Sequence, residues 1–150
     1  MAHTYTHLLT HCIFSTHERR PFVVQAIRND LHAYLGGIVR GLHGIPLSIG
    51  GTADHVHMLV RLPAVLAIAE CMRIVKANSS LWVHERWPER QSFTWQRGYG
   101  AFSVSESARE SVVQYINTQE EHHRKRTFEE EFKELLRRHG VEFDENMLWK

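Results

Sequence analysis

The chain has 150 residues, 43% of them hydrophobic and 23% charged, with a formal net charge of +1. That length suits one domain, large enough for a core that needs no disulfide or metal staple. No apolar run approaches the roughly 20 residues that cross a bilayer, and the N-terminus is polar rather than signal-like, so the expectation is a cytoplasmic protein with no membrane association.

Residues 5–14 are rich in strand formers and free of Gly and Pro, which predicts a first strand, followed by the basic turn Glu18-Arg19-Arg20-Pro21. Between residues 22 and 42, Ile27, Leu31, Leu35, Ile38 and Leu42 recur at helical spacing, and the helix ends near Gly44. Residues 45–49 and 55–62 form the two arms of a β-hairpin. Pro63 closes it. From residue 66 to about 84, Leu66, Ala69, Met72, Val75, Ser79 and Trp82 line one side of a second helix. Residues 91–103 read as a loop and a fourth strand, with Phe93, Trp95, Tyr99 and Phe102 as packing residues. A third helix is expected over about 106–123 with Ser105 as its N-cap, and a last one over about 128–139. Cys12 and Cys71 stand apart with no Cys-x-x-Cys pairing and read as small core residues.

The second hairpin arm contains Asp54-His55-Val56-His57-Met58-Leu59. Alternation along a strand sends His55 and His57 to one face and Val56, Met58 and Val60 to the other. Two imidazoles in parallel at roughly 7 Å, closing toward their tips, can chelate one divalent ion. The competing reading is a plain surface pair in a chain that holds 12 histidines. Tyr115 and Gln119 stand four apart and share a helical face, so a phenol and an amide oxygen can point together at an ion held by the histidines. In isolation a Tyr-x-x-x-Gln is more often a packed ring and a solvated amide. The joint occurrence argues for three ligands and a nucleophile.

The order of elements gives an α+β class: a ferredoxin-like (RRM-like) antiparallel sheet, βαββαβ, with additional C-terminal helices, all in a single domain over residues 1–150. Two helices cover one sheet face, which leaves the other free for the His pair and a ligand. RNA-recognition domains share this topology, but they set stacking aromatics on the two central strands, where this hairpin offers His55, His57 and Arg61.

The chain resembles the single-tyrosine transposases of the HUH superfamily, the IS200-like family encoded by small bacterial insertion sequences that move as single-stranded DNA. The resemblance rests on His55-Val56-His57, the segment Trp95-Gln96-Arg97-Gly98-Tyr99-Gly100-Ala101-Phe102-Ser103-Val104-Ser105, Tyr115 with Gln119, Phe128-Glu129-Glu130-Glu131-Phe132 and the closing Trp149. It covers the chain from about Ile45 onward and is looser over the first forty residues. It implies a DNA transposase that cleaves and rejoins single strands at insertion-sequence ends. Tyr115 would be the nucleophile, holding the 5′ phosphate covalently and freeing a 3′ hydroxyl. His55, His57 and Gln119 would be ligands of Mg²⁺ or Mn²⁺, whose other positions phosphate oxygens and water can fill; on donor type alone zinc stays open. The resemblance further implies recognition of hairpin DNA and a homodimer.

Residues 1–126 carry 14 Lys and Arg against 10 Asp and Glu, and residues 127–150 carry 4 against 7. A mildly basic body admits a polyanion without requiring one. Lys76 and Arg97 are the first candidates for DNA contacts, Lys76 because Lys76-x-Asn78-Ser79-Ser80 resembles a stretch that recurs in the family; Arg19, Arg20 and Arg124-Lys125-Arg126 follow. His122, three residues beyond Gln119, is a further candidate near the metal. Asp54 reads as a turn residue facing away from His55, and His11 has no evident partner. The connection from Gly98 to Glu106 can direct the tyrosine helix outward, so a site shared between two chains is expected. Two other readings stand beside the transposase: a host-adopted or inactive relative that binds nucleic acid hairpins without transposition, and a metal hydrolase using the same histidines.

Overall fold

A computed structural model of the chain describes residues 3–149. β1 (Leu9–Ser15), α1 (Gln25–Gly41), β2 (Ile45–Gly51), β3 (His55–Arg61), α2 (Ile68–Arg86) and β4 (Gly100–Ser103) follow one another in βαββαβ order. The strands form one antiparallel sheet in the order β2-β3-β1-β4, with β1 and β3 central, which is the ferredoxin-like arrangement. After the last strand come α3 (Arg109–Asn117), α4 (Gln119–His122) and α5 (Phe128–Arg138).

β1 starts later than its composition predicts, because a strand persists only where its backbone finds a partner. Leu9 lies opposite Arg61, the last residue of β3, and Tyr5 before it is left exposed. α1 begins at Gln25 rather than at Phe22. Val23 is fully buried and its N–H donates to the Ala53 carbonyl in the β2–β3 turn, and Val24 at the N-cap is extended. β2 is an edge strand, where Pro46 is tolerated; one extra residue enters its pairing with β3 between Pro46 and Ser48.

Cys12 and Phe14 of β1 and Val56, Met58 and Val60 of β3 face α1 and α2, and Leu31, Leu35, Val39, Met72 and Val75 complete this main core. Each large apolar side chain so withdrawn from water contributes roughly 1.5–3 kcal/mol. The opposite sheet face is covered as well, which corrects the expectation of an open one. Leu9, Leu59 and Ile116 pack with Leu47, Val112 and Val113 beneath α3. Ile13, Phe102, Phe128, Phe132 and Leu136 form a second cluster beneath α5, closed by Phe143, Leu148 and Trp149. The cause is the amphipathic α5, whose Phe128, Phe132 and Leu136 recur every four residues and need a surface to bury against.

Candidate active site

His55 and His57 project onto this covered face and are 0% exposed. Two glycines of β2 govern what reaches them. A Cβ at Gly50 would lie 2.3 Å from the Ile116 carbonyl oxygen, and one at Gly51 would lie 2.1 Å from the His55 carbonyl oxygen. Without side chains there, the end of α3 docks on β2 and the hairpin closes tightly ahead of His55. Tyr115 is thereby set beside the His pair of its own chain, its ring centroid 5.7 Å from that of His57. The connection after β4 leads α3 back over the sheet of the same chain rather than outward.

Residues 106–123 do not make the single helix that their composition predicts. A short 3-10 turn, Glu106–Ala108, precedes α3, and Ser105 sits at its N-cap position without capping, its hydroxyl paired with that of Ser107 at 2.9 Å. The helix breaks at Thr118 (φ −115°, ψ 30°), whose hydroxyl donates to the Gln114 carbonyl at 2.9 Å. Back-bonding of this kind bends helices. Gln119 still arrives at the site. Its Oε1 is 2.9 Å from His55 Nε2, and its Nε2 donates to the Tyr115 carbonyl at 3.2 Å, which sets the oxygen toward the histidine.

Two residues not anticipated from the sequence complete the cluster. Glu131 of α5, itself fully buried, has Oε1 2.9 Å from His57 Nε2 and 3.7 Å from His55 Nε2, while its Oε2 accepts the Tyr115 hydroxyl. His123 places Nε2 3.1 Å from Gln119 Oε1 and 3.2 Å from Glu131 Oε1. His122 instead lies against Tyr115, ring centroids 4.7 Å apart, with Nε2 3.1 Å from the Thr118 hydroxyl. A signal for Glu131 existed: at helical spacing it shares a face with Phe128 and Leu135. The acidic run Glu129-Glu130-Glu131 hides it, because the other two members lie nearer the surface.

Behind the histidines stand two more partners. Asp54 does not face away: Oδ1 is 2.8 Å from His55 Nδ1, because the turn before β3 folds the carboxylate back onto the ring, and the Thr52 hydroxyl joins at 3.1 Å. His11 of β1 places Nε2 2.8 Å from His57 Nδ1. Burial brings His57 down to about 4 and His11 down to about 3, in both cases against the pull of Glu131, so both rings are neutral near pH 7. Burial pushes the Glu131 carboxyl upward, but hydrogen bonds from His123, His57 and Tyr115 outweigh it and hold the group well below the usual carboxylate range. Burial, then the charge of Glu131, raises the Tyr115 phenol above its ordinary value, which keeps it protonated.

His55, His57 and Glu131 each offer a donor atom within 4.8 Å of the others. With Nδ1–H of His55 given to Asp54, a neutral ring turns its Nε2 lone pair toward the Gln119 oxygen, acceptor against acceptor. A cation satisfies both. Two imidazoles, an amide and a carboxylate therefore fit a divalent ion, and the carboxylate lowers the net charge of the ligand set by one relative to the neutral set expected.

Lys76 and Arg97 lie elsewhere, in a groove of about 480 Å³ lined also by Arg73 and Tyr99. Lys76 donates to the carbonyls of Gln96 at 3.0 Å and Arg97 at 3.2 Å and to that of Gly98, so its three protons pin this loop to α2. The Arg97 side chain is exposed. Arg19 pairs with Glu129 at 3.2 Å, Arg20 with Glu18 at 3.0 Å and Arg126 with Glu134 at 2.6 Å. Among the described residues no helix is long and apolar enough to cross a membrane.

The transposase for insertion sequence element IS200 of Salmonella typhimurium is 28% identical over 128 residues, covering 79% of this chain and 81% of that protein, and its counterpart from Salmonella typhi matches equally. Two solved structures share the fold. One is a candidate transposase from Deinococcus radiodurans R1, at TM-score 0.63 and 22% identity over 79% of this chain and 96% of that one. The other is a REP-associated tyrosine transposase bound to a REP hairpin, at TM-score 0.58 and 14% identity over 79% and 70%. The family described as "Transposase IS200 like" matches residues 4–119, the stretch that carries the sheet, the His pair, Tyr115 and Gln119, and the chain belongs to that family.

Proposed function

We propose that this protein is a metal-dependent transposase that cuts and rejoins single-stranded DNA at insertion-sequence ends, with Tyr115 as nucleophile and His55, His57, Gln119 and Glu131 holding Mg²⁺ or Mn²⁺. One observation carries the reading. The Tyr115 hydroxyl donates to the same Glu131 carboxylate that contacts His57, so the phenol and the metal-binding groups converge on one side chain. The ion, when bound, stabilises negative charge on the nonbridging oxygens of the scissile phosphate.

The residues of the chain divide the remaining work. Asp54 orients His55. Gln119 is held by its bond to the Tyr115 carbonyl, which ties the amide ligand to the nucleophile's own backbone. The phenolic proton leaves along the hydrogen bond to Glu131 Oε2 and passes on to solvent as Tyr115 Oη bonds to phosphorus; the bond from phosphorus to the 3′ oxygen breaks, and that oxygen leaves as a hydroxyl with a proton from solvent. The DNA is left on Tyr115 as a 5′-phosphotyrosine. The energy of the broken ester is retained, so a second 3′ hydroxyl can attack and reseal without ATP. Phe128, stacked on His55 at 4.1 Å and 13°, keeps water off the metal-facing imidazole. Tyr115 borders a cavity of about 460 Å³ lined also by Ser105, Arg126, Glu134, Arg138 and His139; Arg126 is paired there with Glu134, and Arg138, His139 and the Ser105 hydroxyl are the groups that suit an approaching phosphodiester.

The hairpin-bound structural relative supports hairpin DNA as the substrate. We take the working unit to be a homodimer in which each chain completes its own site. The test is incubation of the protein with labelled single-stranded DNA carrying a hairpin, with Mg²⁺ or Mn²⁺, followed by a denaturing gel. A protein–DNA adduct that needs the metal is expected. Hairpin binding without an adduct would move the assignment to a non-transposing hairpin binder, and neither result would leave the hydrolase reading.

A further inference from the structure

His11 takes no part in the chemistry above, yet it lies at the floor of the site. It stands on β1 opposite Leu59, diagonal to His57 across the central strand pair, and is 4% exposed. Its ring stacks on that of His57 with centroids 5.1 Å apart and planes at 29°, and Tyr115 and Phe102 wall it in at 6.3 and 6.4 Å. Its side chain makes one hydrogen bond among the described residues, Nε2 to His57 Nδ1 at 2.8 Å.

A hydrogen bond between two uncharged imidazoles contains one proton, and its owner decides what the far nitrogen of His57 can do. If His57 carries the proton on Nδ1, its Nε2 is a lone pair open to a cation. If His11 carries it on Nε2, the proton of His57 must sit on its own Nε2, where it donates to Glu131 Oε1 at 2.9 Å and blocks ligation. His55 has its tautomer set by the acceptor carboxylate of Asp54, but Nδ1 of His57 has only His11. We propose that His11 is a positioning residue: when a divalent cation takes His57 Nε2 in place of the hydrogen bond to Glu131, His11 accepts the proton that moves to His57 Nδ1 and thereby holds the ring in the tautomer that ligates. The inference rests on the metal-binding reading of the His pair. It places His11 among the partners behind metal-bound histidines whose loss typically weakens metal binding ten- to a hundredfold.

The probe is Mn²⁺ alone, titrated into the DNA-free full chain and followed by the electron paramagnetic resonance of the free ion. His11→Phe keeps a ring for stacking and removes the acceptor. His11→Gln restores an acceptor oxygen near the place of Nε2. Mn²⁺ binding is expected to weaken about ten- to a hundredfold in His11→Phe and to recover most of that loss in His11→Gln, a rescue that a role in packing alone does not give. Wild-type protein loaded with Mg²⁺ should show His11 protonated at Nδ1, with its Nε2 the acceptor toward His57, in ¹⁵N imidazole spectra. His11→Phe binding Mn²⁺ as tightly as wild type, or His11 protonated at Nε2 in the Mg²⁺-loaded wild type, overturns the assignment, and the second measurement stands even where the Phe variant fails to fold. Failure of the underlying metal reading looks different: wild-type protein then binds no Mn²⁺ at all, and this inference falls with it.

Discussion

The hydroxyl of Tyr115 donates to the buried carboxylate of Glu131, a residue of a different helix, and the other oxygen of that carboxylate lies 2.9 Å from His57 Nε2. Tyr115 and the His pair are thus coupled through one side chain. Glu131→Gln keeps the volume and removes the charge and the proton acceptor. Since a positioned general base contributes typically 10²–10⁴-fold, the single-turnover rate of covalent adduct formation should fall by about 10² with hairpin affinity little changed. An unchanged or faster rate would show that Glu131 only closes the site.

Tyr115→Phe deletes one oxygen and leaves the ring in place, so adduct should vanish while DNA and Mn²⁺ binding persist. On the proposed mechanism His55→Ala or His57→Ala should abolish cleavage and spare most of the hairpin affinity, because an ion held there would act on the transition state more than on binding. Gln119→Ala should be milder, as water could replace the one neutral amide proposed as a ligand. A denaturation-resistant adduct in Tyr115→Phe would transfer the nucleophile role to another tyrosine.

Because α3 rests on the sheet of its own chain, mixing His55→Ala with Tyr115→Phe in coexpressed heterodimers should not restore activity. Each site would carry one defect. Recovered adduct from two inactive parents would show instead that Tyr115 serves the partner's histidines, the exchange that the glycine-flanked connection suggests from sequence.

Acid should destabilise the metal-free protein earlier than carboxylates alone would. His57 lies below its unfolded value of 6.5, at about 4, and His11 at about 3, so their contribution is complete above pH 6.5 and is lost as the pH falls toward these folded values. For His57 alone the loss by pH 4 is on the order of 3 kcal/mol. Urea midpoints measured between pH 7.5 and 4 should fall along this range, and the slope should flatten in His57→Leu. A level profile would mean that the rings are not buried uncharged.

Gly50→Ala tests the seat of α3. The added methyl meets the Ile116 backbone at 2.3 Å, and backbone cannot swing aside as a flexible side chain can. A loss of about 1–3 kcal/mol is expected. Adduct formation should fall as well, because Tyr115 and Gln119 flank the displaced residue. Wild-type stability and activity in this variant would show that α3 is not held by this contact.

Some of the site was readable because it follows from covalent geometry alone. Alternation puts His55 and His57 on one face of a strand whatever surrounds it, and helical spacing places Tyr115 and Gln119 together; the same periodicities gave the order of strands and helices. Distant partners were not readable. Glu131 meets His57 across 74 positions and His11 meets it across 46, and neither pairing leaves a local pattern. They depend on β1 lying against β3 in one register, on Thr118 breaking the helix, and on α5 burying its apolar stripe, with Glu131 inside it, over the face that the sequence alone suggested was open. Local periodicity determines which side chains share a face, but packing decides what that face is pressed against, because the burial of Phe128, Phe132 and Leu136 is satisfied only by the assembled sheet.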